Sequence, residues 1–291
     1  MDGAIILDKA RGISSHSAVL AVRRLLGQPK IGHLGTLDPF ATGVLVLLVG
    51  KATRLARFYR DREKTYEGTI RFGYSTDSYD STGKPTSPEQ APSLDAEEIR
   101  RLFGDFLGNS LQQPPPVSAK KVGGVPAYRI ARKGLEPALR AVPVTIHELE
   151  LLSVDGPLAK FCARVSSGTY LRSLAHDLGE RMEVGAHLTE LRRTAVGEFA
   201  EAGALPFEQL EERVRQGALP LIRIEELLSE FPAFALTPST AQSATHGNSV
   251  TLECSAMWVR LLDESGKLTA VAERAAEDLY HPVVVFSSKH G

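Results

Sequence analysis

The stretch "IGHLGTLDPFATGVLVLLVG", Ile31 to Gly50, places one acid, Asp38, and one imidazole, His33, in a small-residue loop that runs into an apolar segment. A lone carboxylate in such a loop can act on a substrate as base or nucleophile. Asp-Pro is equally a helix start, with Asp38 as N-cap and Pro39 at the first helical position, and both readings stand at this point. Tyr66, at the head of an alternating segment, has an aromatic face and a hydroxyl, although a core tyrosine would explain it as simply. Arg172 falls in the first turn of a helix behind "SSGTY". A cation there opposes the helix dipole, so a nearby carboxylate or phosphate would account for it, as would a solvated surface position. The fourth feature is a basic insertion around Lys120 to Lys133.

Other chemistries lack their residues. The eight histidines form no HxH or HExxH set, and Cys162 and Cys254 lie far apart with no CxxC, so two ordinary buried thiols are expected rather than a metal site or disulfide. GxSxG, phosphate-loop and dinucleotide fingerprints are absent, and a two-carboxylate glycosidase has no signature to test. The net charge of −1 hides a segregation. Residues 1–64 carry eleven Lys and Arg against five acids, residues 118–140 carry six against one, and residues 201–230 are acidic. Basic patches on a neutral chain suit a polyanion partner, though a solvated charged face would look the same. The apolar run Val44 to Val49 is cut off by Gly50 and Lys51, and the first residues carry acids where a signal peptide would be basic. A soluble, cytoplasmic protein with no membrane contact is expected.

The elements that must position these residues can be read from periodicity. "AIILD" predicts a strand, and "SSHSAVLAVRRLLG" a helix capped by Ser14 or Ser15 and stopped at Gly27. "KTYEGTIRFGY" alternates, with Tyr66, Gly68, Ile70 and Phe72 on one face. A long turn-rich loop follows, then a helix over "LDAEEIRRLFGDFLG" with Ile99, Leu102, Phe103 and Phe106 inward. Strands are expected at "VTIHELELLSV" and "AKFCARVSS", and helices at "GTYLRSLAHDLGERM" and "PFEQLEERVRQG". Strands and helices interleave without a βαβ rhythm, which predicts α+β with a mixed, largely antiparallel sheet flanked by helices. Near Phe234 the texture changes to short apolar runs and a hairpin signal at Asp263–Gly266, predicting a small β domain over 234–291 behind a main domain over 1–230, with the basic insertion at about 112–140.

"GHLGTLDPFATGVLVLLVGKATR" resembles the catalytic motif of the TruB family of tRNA pseudouridine-55 synthases, GHxGxLDPxAxGxL followed by GxAT. "ILDKARGISS", "KTYEGTIRFGYSTDSYDSTG", "PPPVSAKKVGGVPAYRIARKG" and "SSGTYLRSLAHDLGERMEVGAHLTELRRTAVGEF" match further family motifs in order, covering most of residues 3–200. The sequence departs at Ala10, where the family usually has proline, and at Val117, where an aromatic is common. The resemblance implies a pseudouridine synthase fold with a small PUA-like C-terminal domain. It implies Asp38 as the catalytic aspartate, Arg172 as its arginine partner and Tyr66 as the tyrosine packed on the target uracil. It also implies RNA contacts by His33, Lys9, Leu191, Lys120, Lys121, Arg129 and Arg132. The expected substrate is the T-arm stem-loop of tRNA, with uridine 55 flipped out and isomerised, no cofactor, no obligate protein partner and a monomeric enzyme. A guide-dependent relative acting on ribosomal RNA, a tRNA-folding chaperone, and a protein that binds no RNA and uses Asp38 as a helix cap are the alternatives.

Overall fold

β1 (Gly3–Lys9) leads into α1 (Ser15–Leu26). The Ser14 hydroxyl caps α1 by accepting from the Ser17 amide at 3.0 Å, and Gly27 ends the helix. β2 (Ile31–His33) and β3 (Thr42–Val49) flank the Asp38 loop, and the short α2 (Ala56–Tyr59) precedes β4 (Lys64–Phe72). α3 (Ala96–Gly104) starts at the cap Asp95 with Glu97 and Glu98 in its first turn, and buries Ile99, Leu102 and Phe103. Next come β5 (Gly108–Gln112), a hairpin of β6 (Lys121–Val122) and β7 (Val125–Pro126), and α4 (Ala127–Ala131). β8 (Val142–Asp155) and β9 (Leu158–Val165) precede α5 (Leu171–Arg181). β10 (Ala186–Val196), β11 (Phe199–Ala200), α6 (Phe207–Arg215) and β12 (Ile222–Arg223) complete the first part. β13 (Ala233–Ala235), α7 (Pro238–Thr245), β14 (Val250–Thr251), β15 (Trp258–Leu262), β16 (Leu268–Arg274) and β17 (Leu279–Val285) form the rest. This computed structural model describes residues 1–118, 120–131, 134–135 and 137–286.

The main sheet runs β12-β1-β3-β10-β4-β9-β8-β5, with β2 and β11 added on β3 and β10. Its pairs are antiparallel except β3 with β10, where Arg192 and Arg193 pair in parallel with Thr42 and Gly43. The sheet is thus mixed and largely antiparallel, as the sequence predicts. β3 is apolar from Val44 to Val49 because both of its faces are buried there. Leu45, Leu47 and Val49 pack with α1 and α6, whereas Val44, Val46 and Leu48 pack on the other side with Leu55, Tyr59 and residues of the C-terminal sheet.

A second core lies under α3 and α5, built from Ile70, Phe72, Phe161, Leu174 and Leu178. Tyr66 and Leu191 pack against this core and also against the core under α1. They therefore mark a seam between two packed units, where side chains from both converge.

β10 had no clear signature in the sequence. Its register shifts between Leu188 and Glu190 and again between Arg193 and Ala195, so alternation is broken twice, and it buries His187 and Arg193 where a central strand would carry apolar side chains. The C-terminal strands form a separate five-stranded sheet, β13-β15-β16-β17-β14, with the Asp263–Gly266 turn joining β15 to β16. α7 was not anticipated there, since its face is built from alanines. Among the described residues no helix is long and apolar enough to cross a membrane. The two cysteines are half-buried rather than fully buried.

Candidate active site

No helix follows Asp38. Its carbonyl accepts from the Ala41 amide at 3.1 Å, making a turn that enters β3, and the helix-cap reading is thereby corrected: the apolar run after Thr42 pairs with β1 and leaves no room for a helix. The turn is pinned from two sides. Buried Ser15, at the start of α1, accepts from the Leu37 amide at 2.8 Å and donates to the Leu37 carbonyl at 3.0 Å. Gly12 donates its amide to the Pro39 carbonyl at 2.7 Å. A rigid backbone on either side of Asp38 leaves its side chain few alternatives.

Arg172 reaches Asp38 from α5. Its Nε lies 2.9 Å from Asp38 Oδ2, its Nη1 lies 3.4 Å from Asp80 Oδ2, and Nη1 also donates to the Ser78 carbonyl at 2.9 Å. The helix start that carries it is tied down by Gln112, whose side chain accepts from the Tyr170 amide at 2.8 Å and donates to the Tyr170 carbonyl at 3.0 Å. The carboxylate partner inferred from the dipole argument is therefore present twice. Arg172 is buried at 5% side-chain exposure, while Asp38 is 37% exposed and opens into a cavity. Protein on its other sides makes burial the leading influence on Asp38 and pushes its carboxyl above the usual range. Arg172 pulls it back down by charge and hydrogen bond, and Asp80 pushes it up.

The cavity, about 440 Å³, is walled by Asp38, Tyr66, Arg172, Leu191 and, from the insertion, Lys120. Its volume falls within the range of small-ligand sites. Tyr66 on β4 stands opposite Arg193 on β10, and Leu191 stands opposite Gly68, so Tyr66 and Leu191 project from the same face. Five of the predicted site residues are thus brought together. His33 is not part of this wall. It ends β2, and among the described residues its buried Nδ1 has no hydrogen-bond partner.

Lys9 is fully buried, and its ammonium donates to the carbonyls of Ala10 and Ile13, each at 2.9 Å, so it braces the loop beside the Asp38 turn. Burial pushes it down to about 8. Lys121 lies on β6 and Arg129, exposed, on α4, both in the insertion; Arg132 lies outside the described residues.

Three residues of the site went unnoticed in the sequence. Asp80 sits in the turn-rich loop and is buried, with Oδ1 accepting from the Ser78 hydroxyl and the Thr82 amide, each at 2.9 Å. Lys64 and Arg193 are buried polar residues of the cavity wall. For Lys64 the available signal was a charge in a strand-like segment, which also describes any solvated strand, while Asp80 lay in a polar loop and Arg193 in a segment without clear alternation.

Comparison with known proteins identifies the family. The family model described as TruB family pseudouridylate synthase (N terminal domain) matches residues 23–171, and that described as tRNA pseudouridylate synthase B C-terminal domain matches residues 172–223. The latter ends before the five-stranded sheet begins. The tRNA pseudouridine synthase B of Solibacter usitatus (strain Ellin6076) is 45% identical, over 98% of this chain and 100% of that protein. That of Thermobifida fusca (strain YX) is 41% identical over 98% of this chain and 99% of its own length. Among solved structures, a chain of an H/ACA RNP bound to a substrate RNA containing 2′-deoxyuridine superposes with a TM-score of 0.74 at 22% identity, covering 99% of this chain and 86% of that one. A chain of a Cbf5-Nop10-Gar1 complex gives 0.73 at 24% identity, with 99% and 84% covered. The structural matches establish the same fold. With family models that together span residues 23–223 and relatives more than 40% identical over nearly the whole chain, this protein belongs to the TruB family of pseudouridylate synthases.

Proposed function

We propose that the chain isomerises uridine to pseudouridine at position 55 in the T loop of tRNA. The observation that carries this reading is the Asp38 carboxylate, oriented by Arg172 at 2.9 Å and opening into a nucleotide-sized cavity between Tyr66 and Leu191. Pseudouridine formation breaks the bond from ribose C1′ to uracil N1, turns the base and rejoins it through C5, without gain or loss of atoms. A stacked uridine cannot reach such a cavity, so the base must be flipped out first.

Asp38 then acts on the sugar. As a carboxylate it either attacks C1′, displacing the uracil and forming a glycosyl ester that the base later displaces through C5, or it removes the 2′ hydrogen to give a glycal to which the base adds back. Both routes require an ionised acid, which Arg172 favours by charge and by the fixed direction of its N–H groups. Tyr66 offers a flat face for the uracil opposite Leu191, and its hydroxyl is available to help remove the C5 proton once the new bond has formed. The basic insertion, with Lys120, Lys121, Arg129 and Arg132, closes over the RNA, and His33 fills space near the vacated stack.

In this reading the enzyme works as a cytoplasmic monomer without guide RNA or protein partner, and residues 234–291 act as a PUA-type RNA-binding unit. Full-length similarity to relatives named tRNA pseudouridine synthase B supports tRNA as the substrate. The experiment is tritium release from unmodified tRNA carrying [5-³H]uridine, with no other macromolecule added, comparing wild type with Asp38→Asn. One equivalent released per tRNA by the wild type alone, mapped to the T loop, is the expected result. Silence from both proteins with tRNA binding intact would favour the chaperone alternative.

A further inference from the structure

Two cations in the cavity wall have no role in the scheme above. Arg193 is 1% exposed and Lys64 7% exposed, yet neither has a carboxylate at ion-pair distance among the described residues. Their neighbour Arg192 shows the contrast. It is far more exposed, yet it forms paired bonds to Asp8, each at 3.0 Å, and another to Glu201 at 2.9 Å. Stability alone predicts the opposite distribution, because a buried charge without a counter-charge is the costlier one.

Among the described residues the donors of the two cations go only to carbonyls, Lys64 also reaching that of Arg60 at 3.4 Å. Arg193 gives Nε to the Val44 carbonyl at 2.8 Å and Nη2 to the Gly35 carbonyl at 3.1 Å, and Lys64 gives Nζ to the Arg62 carbonyl at 2.5 Å. The two side chains converge at one place. A Cβ added to Gly35 would lie 3.4 Å from Arg193 Nη1 and 3.8 Å from Lys64 Cε, so this glycine, at φ +86°, keeps the approach to both cations unobstructed. Burial and the Arg193 charge together push the Lys64 ammonium down to about 8, a repulsion that an anion between them would relieve.

We propose that Lys64 and Arg193 form a phosphate-binding subsite that grips a backbone phosphodiester flanking the nucleotide whose base enters the cavity beside Asp38. The inference rests on the isomerase reading for the identity of the nucleotide. Uracil and ribose are neutral, so the phosphodiester is the one part of that substrate that calls for buried positive charge. Arg193 offers planar donors to its oxygens and Lys64 a compact charge. Held there, the backbone fixes how deep the flipped nucleotide sits and presents its C1′ to Asp38.

The test pairs a change in the protein with a change in the RNA. Synthetic T-arm stem-loops carry a neutral methylphosphonate in place of one or the other phosphodiester flanking the target uridine, and are bound to full-length wild type, Lys64→Gln and Arg193→Gln. At one of the two linkages the neutral group is expected to weaken wild-type binding about tenfold, Lys64→Gln to weaken binding of the normal RNA about as much, and the two together little more than either alone. The salt slope of log affinity should fall by about one for the variant. Full additivity at both linkages overturns the subsite; should Arg193→Gln fail to fold, Lys64→Gln decides the matter by itself. Single-turnover pseudouridine formation is measured on the same samples. Turnover without coupling rejects the subsite and keeps the isomerase, whereas coupling without turnover by the wild type rejects the isomerase and keeps the subsite.

Discussion

The two sides of the cavity handle charge in opposite ways. On one, Arg172 divides its guanidinium between Asp38 at 2.9 Å and Asp80 at 3.4 Å, so the cation is directly partnered by carboxylates. On the other, Lys64 and Arg193 lean on carbonyls, and among the described residues neither has a carboxylate at ion-pair distance. The first arrangement suits a group that must be aimed and kept ionised while bonds change. The second suits the capture of an anion that arrives from outside. One seam between two cores can serve both ends because buried charge is tolerated when fixed dipoles or a partner answer it.

The largest effect should come from removing the acid itself. Asp38→Asn is expected to lower single-turnover pseudouridine formation by about a thousandfold or more while leaving RNA affinity within a few-fold, since the amide keeps the shape but is neither nucleophile nor base. Equal losses of binding and turnover would erase the distinction between the two sides. The joint between them is tested next. A Cβ at Gly43 would lie 2.2 Å from the Arg193 carbonyl, where β3 and β10 pair, so Gly43→Ala should cost about 3 kcal/mol of stability, read as a lowered urea midpoint.

Arg172→Lys keeps the charge but loses the fork that serves Asp38, Asp80 and the Ser78 carbonyl together. A fall of about a hundredfold in rate is expected. An unchanged rate would mean that charge without geometry suffices.

The smallest effect sharpens the partnered side. Because the Asp38 carboxyl is raised by burial, the acid limb of the pH-rate profile should lie above the ordinary carboxylate range, with activity rising as pH climbs through it. Stability runs the other way. The folded state binds the Asp38 proton more tightly than the unfolded chain, so the contribution of this group is full below the unfolded value and is lost as pH rises through the folded one. Asp80→Asn removes a charge that raises Asp38, and should move the acid limb to lower pH, with about a tenfold loss of rate from a less firmly held Arg172. A limb that moves upward would contradict this assignment of Asp80.

Much of the molecule was legible before any coordinates. The Ser14 cap, the Gly27 stop, the alternation of Tyr66 to Phe72 and the Asp263–Gly266 hairpin are local signals, written in propensities and periods a few residues long, and the structure realises them. The motif around Asp38 and the dipole argument for Arg172 pointed to a carboxylate and its cation for the same reason: residue type at a given local position is unusual enough to need a partner. β10 was not legible, because two register shifts and a buried arginine conceal its alternation. Nor was the burial of Lys9, since a lysine at a strand end is usually solvated.

Local order along the chain was therefore sufficient to specify most of the element types and the α+β class. Which charges would share one cavity was decided only by tertiary packing. Asp38 and Asp80 are 42 positions apart and meet across Arg172 from a third segment, while Lys64 and Arg193 meet over Gly35. Whether such groups become partnered charges or an open anion site depends on which strands adjoin and what each charge is desolvated against, and these are properties of long-range contacts that no local pattern encodes.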